Sequence, residues 1–411
     1  MTMPQETTDV VIIGAGPSGA VSSALLTQQG YRVLVLEKEH FPRFSIGESL
    51  LPQSMAFLEQ AGMLPAVEQA QFQFKNGAAF LRGDEYDFFD FREKFSDGWG
   101  TTFQVQRGHF DQILAEEAVK QGVEVRHGHT VTAFDSDENS ACLTVENKQG
   151  QSYQVQARFA LDASGFGRVL PRLLDLEYPS ELANRISVFT HVEDNIDASW
   201  FDREKILITV HPEHHDIWYW LIPFSNGRSS VGVVAPKSFM ANIDGDLEQQ
   251  LKTMLSQGGK LAQLLGNAVF DTRFASIEGY SCDVKSLHGP RFALLGNAGE
   301  FLDPVFSSGI TIALKSASLA AAVTDKELSG QQPDWEAEYA HPLKQGVNTF
   351  RTFVEGWYDT RLQDVIFAQE KSAEIKRMIS SILAGYAWDL ENPYVRDHKR
   401  LGTLAELCRN S

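Results

Sequence analysis

The chain has 411 residues, 43% of them hydrophobic and 22% charged, and its formal net charge is −18. A chain of this length forms two or three cores or one large elaborated core, and its composition is that of an ordinary globular protein. The negative charge repels polyanions, so nucleic acid and anionic membrane surfaces are not expected as partners.

The N-terminus, the apolar runs and the cysteines indicate a cytoplasmic protein without a membrane span. The N-terminal segment lacks the basic region that begins a secretory signal, and no apolar run approaches the ~20 residues that cross a bilayer. Cys142, Cys282 and Cys408 show no C-x-x-C spacing. Neither a disulfide framework nor a zinc site is therefore expected, and we predict no metal site.

The first predicted unit is a nucleotide-binding turn. An apolar strand from Asp9 to Ile13 leads into GAGPSG, and a helical stretch and a second strand complete a unit of about 30 residues. Gly14 suits the tight turn, Gly16 lets the backbone approach a pyrophosphate, and Gly19 allows the helix to pack closely on the strand. This arrangement predicts an ADP-containing dinucleotide.

The helix start and the end of the second strand supply further predicted contacts. Pro17 and Ser18 begin the helix, whose positive end would hold the phosphates. Glu37 ends the second strand at the position where a carboxylate binds the hydroxyls of an adenosine ribose. The motif by itself does not separate FAD from NAD.

Two arginines are further candidates for cofactor contacts. The loop FPRFSIGESLLPQSM contains Arg43, Ser45 and Ile46, which either contact a flavin or belong to a purely structural turn. Arg107 precedes a helix with apolar residues at helical spacing. Its guanidinium would suit a pyrophosphate or the carboxylate of Asp111 equally well.

The residues DIWYWLIPF at 216–224 predict a buried strand, because Trp, Tyr, Leu and Ile favour pleated, half-buried surfaces. Alternation along a strand places Trp218 and Trp220 on one face and Tyr219 on the other. The paired rings are consistent with ordinary core packing and equally with a wall between two sites.

A second nucleotide-binding segment reads RFALLGNAGEFLDPVFSSGITIALKSASLAAAV. A strand from Phe292 to Leu295 ends at Gly296, and a helix begins near Gly309 after a Pro-containing loop. The N–H groups of Ser308, Gly309 and Ile310 at the helix start form a natural anion site. The anion would be a carboxylate, a phosphate or a halide.

Together these segments resemble the flavin-dependent halogenases, within the larger family of flavoproteins that includes aromatic hydroxylases and geranylgeranyl reductases. The larger family is indicated by GAGPSG with Glu37, by DASG at 162–165 and by GNAGEFLDP. The halogenases are indicated by WYWLIP, which matches their W-x-W-x-I-P signature, and by FLDPVFSSG, which matches F-x-x-P-x-x-S-x-G.

The resemblance implies a role for each segment. The later segments would contribute these FAD contacts: Asp162, Asn297, Pro304, Gly309 and Ile310. A halide would be held at the amides of Ser308 and Gly309. A separate flavin reductase would supply FADH2, which uses oxygen to oxidise the halide to hypohalous acid. A barrier that only this small oxidant passes would separate flavin from substrate: Trp218, Trp220 and Phe306.

Lys75, in QFQFKNGAAF, takes the role of the family's catalytic lysine, which lies at a comparable distance downstream of the first FAD motif. It would hydrogen-bond to hypohalous acid or form a haloamine that halogenates an electron-rich ring. From the residues alone, a surface lysine at a strand edge is the simpler interpretation. Phe72, Phe74 and Phe80 favour instead a partly desolvated lysine with a lowered pKa.

Two departures from the family pattern narrow the implied substrate. Phe306 stands where relatives that act on free tryptophan have a glutamate. The resemblance therefore shifts toward the subgroup that halogenates pyrroles and phenols, often while these are bound to an acyl or peptidyl carrier protein. Asn297 replaces the usual Asp of the ribityl-contacting GD motif, so an uncharged amide would accept that hydrogen bond.

The expected fold class is α/β, with a split Rossmann-like FAD-binding domain, a mixed β-sheet substrate domain and a helical C-terminal region. We expect the FAD-binding domain over 1–180, including inserted strands around 72–106, and over 275–332. The β-rich substrate side would occupy 181–274 and the helical region 333–411. Two alternatives stay open: an FAD-dependent aromatic monooxygenase or reductase on the same scaffold, and a halogenase-like flavoprotein that does not halogenate.

Overall fold

The structure is a computed structural model that describes residues 4–369 and 372–410. In this part of the chain, an eight-stranded sheet and a seven-stranded sheet are accompanied by two small two-stranded sheets and by helices. The α/β class predicted from the sequence is confirmed.

Runs of strands are separated by helices along most of the chain, and its last part is helical. The strands are β1 (Gln5–Ile13), β2 (Val33–Glu37), β3 (Gln73–Lys75), β4 (Gly77–Arg82), β5 (Glu85–Asp90), β6 (Thr102–Gln104), β7 (Glu124–His127), β8 (His129–Ser136), β9 (Ala141–Asn147), β10 (Ser152–Asp162), β11 (Glu177–Pro179), β12 (Arg185–Glu193), β13 (Lys205–Val210), β14 (Trp218–Pro223), β15 (Arg228–Pro236), β16 (Ala275–Glu278), β17 (Cys282–Val284), β18 (His288–Gly289) and β19 (Phe292–Leu294). The α-helices are α1 (Pro17–Gln28), α2 (Gln53–Gln60), α3 (Leu64–Gln69), α4 (Arg107–Lys120), α5 (Val169–Leu173), α6 (Lys237–Met240), α7 (Leu247–Ser256), α8 (Lys260–Leu264), α9 (Ser308–Leu328), α10 (His341–Tyr358), α11 (Arg361–Ile366), α12 (Ala373–Leu383), α13 (Pro393–Arg396) and α14 (Lys399–Asn410).

The eight-stranded sheet forms the nucleotide-binding half of the molecule. Its main order is β18-β19-β10-β1-β2-β7, and β9 and β8 extend it from β10 as an antiparallel pair. β1 runs parallel to both β10 and β2, with Val10 opposite Phe159 on one side and Val33 on the other. Parallel strands are covered on both faces, which is why β1 ends in a continuous buried run of Val and Ile residues.

The seven-stranded sheet has the order β16-β12-β15-β14-β13-β4-β5. Its last two strands in this order, β4 and β5, come from the segment predicted as inserted strands around 72–106, whereas β3 and β6 pair separately. β16 lies beyond the expected boundary at 274. The expected boundaries at 180 and 274 therefore do not separate the two large sheets, because strand pairing follows the apolar faces that are buried together.

The seven-stranded sheet separates two cores. Trp218 and Trp220 face the larger core, which is shared with the nucleotide-binding sheet and the C-terminal helices. Tyr219 faces a smaller core that is covered by α6, α7 and α8. The alternation predicted for DIWYWLIPF is confirmed, and it directs both tryptophans to the side on which the candidate site lies.

The chain from 333 onward is helical over most of its described residues. One face of α10 is buried at helical spacing and consists of Leu343, Val347, Phe350, Val354 and Trp357. Trp388 lies against the same helix, where its Nε1 donates to the carbonyl of Pro342 over 3.0 Å. Among the described residues, no helix combines the length and apolar character needed to cross a membrane.

We expect Gly346→Ala to destabilise the fold. A Cβ at Gly346 would lie 2.1 Å from Cε2 of Trp388, so the indole would have to move, and overpacking of this kind costs about 1–3 kcal/mol. Gly402→Ala in α14 is the matched control, because the nearest atom there, Nη1 of Arg361, is 3.7 Å away. Urea unfolding followed by circular dichroism compares them, and equal stability of both variants would contradict the packing of Trp388 on α10.

Candidate functional site

A cavity of about 630 Å³ lies at the carboxyl ends of β1, β2 and β10, where open α/β sheets bind their ligands. Most residues predicted to hold FAD line it: Gly14, Gly16, Pro17, Ser18, Glu37, Arg43, Ser45, Ile46, Arg107, Asn297, Pro304, Gly309 and Ile310. Gly19 and Asp162 lie outside this lining. The cavity thus brings together segments from both ends of the nucleotide-binding half.

The glycine-rich turn joins β1 to α1 with its backbone against the cavity. Gly14 has a φ of +96° and donates its N–H to Leu36 O over 2.8 Å. A Cβ at Gly19 would lie 2.0 Å from the carbonyl oxygen of Gly14, so only glycine allows the helix to approach the turn this closely. Gly16 precedes the helix without any side-chain cap, which leaves the first N–H groups of α1 for a ligand.

Glu37 holds the loop around the nucleotide end of the cavity. Its Oε2 accepts the N–H of Ala15 and its Oε1 accepts the N–H of Glu39, each over 2.8 Å. Nε of Arg43 lies 3.9 Å from Oε1 of the same carboxylate. The carboxylate is thereby oriented at the end of β2, where a ribose would lie.

Asp111 holds both candidate arginines at the cavity wall. Nε and Nη2 of Arg107 lie 2.7 and 3.0 Å from its two carboxylate oxygens, and Nη1 of Arg107 donates to the carbonyl of Ile46. Nη1 of Arg43 lies 3.6 Å from the same carboxylate. The sequence left two partners open for Arg107, and the structure shows Asp111 as its partner while keeping its side chain in the cavity lining.

Asp162 organises the DASG loop from behind the cavity wall. Its buried carboxylate accepts the N–H of Ser164 over 2.9 Å and the N–H of Leu170 over 2.6 Å. The next residues along the loop, Ala163, Ser164 and Gly165, line the cavity instead. At this loop the cavity is therefore lined by the residues that follow Asp162 and not by Asp162 itself.

The last wall of the cavity is the loop before α9. Ser307 has a φ of +57° and leads into the helix, which begins at Ser308, close to the predicted start near Gly309. The Ser308 side chain is buried and lies outside the lining, whereas Gly309 and Ile310 line the cavity. Asn297 lies beside this helix start, with its Oδ1 3.9 Å from a Cβ built on Gly309.

The two tryptophans of β14 also line the cavity. Their ring centroids are 6.0 Å apart and their planes are inclined by 47°. Nε1 of Trp220 donates to Oγ of Ser230, and Nε1 of Trp218 donates to the hydroxyl of Tyr358, each over 3.0 Å. Both rings are therefore held in place by hydrogen bonds as well as by packing.

Phe306 lies away from the cavity lining. Its ring is buried and meets the rings of Phe353 and Trp357 edge-on, with centroids 6.5 and 6.0 Å away. The three residues predicted to form the barrier therefore do not all lie at one place: Trp218 and Trp220 line the cavity, whereas Phe306 contacts the C-terminal helix α10.

Lys75 is fully buried, so the interpretation as a surface lysine at a strand edge is wrong. Its Nζ donates to Oγ of Ser49 and to the carbonyl of Leu50, each over 2.7 Å, and lies 5.4 Å from the ring centroid of Phe91. Both acceptors are neutral oxygens. Burial lowers the pKa of Lys75 to about 7, because removing water penalises the ammonium form.

Ser49 is the functional candidate that the sequence reasoning missed. It lines the cavity and its hydroxyl accepts a hydrogen bond from Lys75, which itself lies outside the lining. The position was visible as a polar residue next to Glu48 in the GESLLP loop. Its pairing with Lys75 was not, because the two residues are distant in sequence and only the tertiary fold brings them together.

The residues present fit an FAD. Gly16 at the open helix start, Glu37 and Gly309 at the second helix start all line one cavity. A Cβ on Gly16 would lie 3.4 Å from Nη2 of Arg43, so glycine leaves the room between the turn and this guanidinium free, where a pyrophosphate would lie. Within the described part of the chain, no cluster of three or more His, Cys, Asp or Glu residues is placed to hold a metal ion.

Comparison with known proteins agrees with this geometry. The family described as FAD binding domain matches residues 7–313. The 1H-pyrrole-2-carbonyl-[peptidyl-carrier protein] chlorinase of Pseudomonas fluorescens is 30% identical over 400 residues, which cover 88% of this chain and 86% of that protein. The tryptophan 2-halogenase of Chondromyces crocatus is also 30% identical, but the matched part covers only 63% of that longer protein.

Solved structures show the same fold over nearly the whole chain. A flavoprotein/dehydrogenase from Cytophaga hutchinsonii is 42% identical, with a TM-score of 0.95 and coverage of 98% of this chain and 99% of that one. The flavin-dependent brominase Bmp2 is 26% identical, with a TM-score of 0.77 and coverage of 98% and 94%.

We expect Glu37→Gln to weaken FAD binding by about tenfold, because the amide loses the negative charge and one of two acceptor oxygens. Glu59→Gln, the same change at an exposed position on α2, is the control and should bind FAD as the wild type does. Titration of the apoprotein followed by flavin fluorescence measures both. Equal affinity of the two variants would contradict a ribose site at Glu37.

Proposed function

The chain belongs to the flavin-dependent halogenases, FAD-binding oxidoreductases, and from that premise we propose that it halogenates a pyrrole or phenol with chloride or bromide. The observation that carries the proposal is Lys75, which is buried, has a pKa near neutrality and is hydrogen-bonded to Ser49 of the cavity wall. A buried lysine that is partly uncharged at neutral pH is the group that halogenation requires to receive the oxidant formed at the flavin.

The residues of the cavity would hold the cofactor and the halide. When bound, reduced FAD supplies, with oxygen, the power to oxidise a halide to hypohalous acid. The N–H groups of Ser308 and Gly309 at the start of α9 would hold the halide, since a helix start attracts anions and Gly309 lines the cavity. Trp218 and Trp220 would close the wall to larger molecules.

Lys75 would react with the hypohalous acid that has passed Trp218 and Trp220. With a pKa of about 7, its side chain provides both a free amine and an ammonium donor near neutral pH. The free amine reacts with hypohalous acid to give a haloamine and water, and transfer of the halogen to the ring restores the amine as the ring loses its proton. Ser49 would orient Nζ for this reaction.

The substrate side supports an uncharged, electron-rich ring. Phe306 packs with Phe353 and Trp357, so the position of the family glutamate is occupied by an apolar cluster. A matching relative that spans most of the chain is named for a pyrrole carried on a peptidyl carrier protein. We therefore propose a carrier-bound substrate, and a separate flavin reductase as the second partner.

We also place the enzyme in the cytoplasm. Cys142 and Cys282 are free thiols in the structure. A reducing compartment such as the cytoplasm keeps thiols in this state.

Purified protein supplied with FAD, a flavin reductase, oxygen and bromide should brominate a pyrrole or phenol, and should convert the carrier thioester faster than the free acid. Lys75→Met is expected to lower product formation by about 100-fold or more, because the halogen acceptor is lost. Lys315→Met is the control, since Lys315 on α9 is partly buried and has a lowered pKa, but its ammonium lies near the rings of Phe57 and Trp388. Mass spectrometry identifies the products.

Three outcomes would contradict parts of this proposal. A hydroxylated product made equally well by Lys75→Met protein would favour the monooxygenase alternative. Flavin oxidation without any modified ring, over a panel of pyrroles and phenols, would favour a flavoprotein that does not halogenate. Equal turnover of free acid and thioester would remove the carrier protein as a partner.

Lys75 should also make stability depend on pH. Its pKa is about 7 in the folded chain and ~10.4 when unfolded, so between these values the unfolded chain binds more protons. The free energy of unfolding should therefore rise with pH relative to Lys75→Met, by about 2–3 kcal/mol between about pH 7 and about pH 9.5. Urea titrations of both proteins at each pH measure the change, and a difference that does not vary with pH would refute the lowered pKa.

A further inference from the structure

Three side chains from three distant segments form one buried hydrogen-bonded chain. Nε1 of Trp218, on β14, lies 3.0 Å from the hydroxyl of Tyr358 at the end of α10. The same hydroxyl lies 2.8 Å from Oδ2 of Asp303, in the loop before α9. Trp218 and Asp303 are 1% and 2% exposed, so neither can exchange these partners for bulk water.

The direction of this chain is determined by chemistry. An indole N–H can only donate, so the Tyr358 oxygen must accept from Trp218. The single phenolic proton is then available for Asp303, whose carboxylate accepts it. Burial raises the pKa of Asp303 to about 6, and the hydrogen bond from Tyr358 counteracts part of that rise.

Asp303 transmits the contact to the loop that precedes α9. Its Oδ1 accepts the N–H of Val305 over 3.0 Å and caps the turn at 304–306. This turn leads directly to Ser307 in its left-handed conformation and to the first N–H groups of α9. The same carboxylate therefore holds the hydroxyl of Tyr358 with one oxygen and the backbone of the loop with the other.

The phenol itself is clamped from the side. The guanidinium carbon of Arg185 lies 3.6 Å from the ring centroid of Tyr358, and Nη1 of Arg185 donates to the carbonyl of Asp216 over 2.7 Å. Asp216 stands two residues before Trp218, so the clamp is anchored at the start of the same strand. The ring of Tyr358 cannot rotate away without breaking its contact with Arg185. A substitution that removes only the hydroxyl therefore breaks the hydrogen bonds to Trp218 and Asp303 while the ring stays in place.

We propose that Tyr358 and Asp303 are positioning residues that couple the Trp218 ring in the cavity wall to the loop at 303–307, which leads to the proposed halide site. The C-terminal helix α10 thereby controls the position of both. We call the hydrogen-bonded chain of Trp218, Tyr358 and Asp303 the relay. The inference rests on the proposed function, because it uses Ser308 and Gly309 as the halide site. Losing the link frees the Trp218 ring and the loop together. Hypohalous acid then escapes to solvent and halide binds less tightly, although FADH2 is still oxidised by oxygen.

Tyr358→Phe is the direct test, because it removes only the hydroxyl and keeps the ring under Arg185. Tyr339→Phe is the matched control, since Tyr339 is also fully buried in the larger core and its hydroxyl donates to the carbonyl of Leu294, outside the relay. We expect Tyr358→Phe to raise the KM for halide about fivefold or more and to increase trapped hypohalous acid per oxygen consumed several-fold. The rate of FADH2 oxidation should stay within about twofold of wild type, and Tyr339→Phe should shift none of these quantities.

A double-mutant cycle tests the link itself. Trp218→Phe removes the indole donor, so adding Tyr358→Phe to it should raise the escape of hypohalous acid no further. Asp303→Asn should resemble Tyr358→Phe, because an amide still fills the site but accepts the phenol proton more weakly. If the escape of hypohalous acid in the double variant rose by the product of the fold-increases of the two single variants, the coupling would be overturned.

A spectroscopic measurement separates this inference from the proposed function. The Trp218 Nε1–H signal in a nitrogen-15 spectrum, assigned by its loss in Trp218→Phe, should be protected from hydrogen exchange in wild type and in Tyr339→Phe. In Tyr358→Phe it should shift and lose protection at least tenfold. An unchanged signal would overturn the relay even if the enzyme halogenates. If Tyr358→Phe lost protection but kept the wild-type halide KM and the wild-type escape of hypohalous acid, the role of the relay in coupling would be overturned. If the protein halogenated no substrate at all, the proposed function would be refuted, and the exchange measurement would still decide whether the relay exists.

Discussion

The site depends on an amine that is buried among neutral oxygens. Lys75 is fully buried, and the hydrogen-bond acceptors of its Nζ are the hydroxyl of Ser49 and the carbonyl of Leu50. A charged ammonium is costly in such surroundings, which is why the pKa of Lys75 falls to about 7. Two segments hold this side chain. Ser49 and Leu50, which supply the acceptors, lie at the end of the loop at 43–49 that lines the cavity, and Lys75 is the last residue of β3.

The cavity and Lys75 occupy neighbouring parts of the structure. The nucleotide-binding sheet and the starts of α1 and α9 line the cavity, while Lys75 lies outside its lining and donates a hydrogen bond to Ser49 within it. β14 contributes Trp218 and Trp220 to the lining, and α10 brings Phe353, Trp357 and Tyr358 against the loop before α9. The C-terminal helices thus contact a loop of the cavity although they contain none of the FAD motifs.

Local features of the site were predictable because their causes are local. A strand, a turn and a helix that follow one another need particular residues at particular positions, and Gly14, Gly16 and Gly19 meet those needs within one βαβ unit. The buried alternation of Trp218 and Tyr219 follows from the period of a strand in the same way. The start of α9 was predicted within one residue, since a Pro-containing loop and an apolar helix mark it.

The sequence did not select the partners of two charged residues, although these partners lie nearby in the chain. Arg107 binds Asp111, one of the two partners that the sequence left open, and Asp162, predicted as a cofactor contact, binds the backbone of the DASG loop. A guanidinium or carboxylate suits several partners, so its chemistry alone does not select one.

The sequence by itself determined the dinucleotide motif and the resemblance to the halogenases, because these depend on residue types at short, regular spacings. Through that resemblance it also predicted Lys75 as the reactive lysine. Only the tertiary structure decided that β4 and β5 join the second sheet, that Ser49 holds Lys75 and that Tyr358 links Trp218 to Asp303. Each of these contacts joins segments separated by many residues. Such pairings are selected by the shared burial of apolar faces and by the need to satisfy buried polar groups, and neither requirement is encoded in any single stretch of the chain.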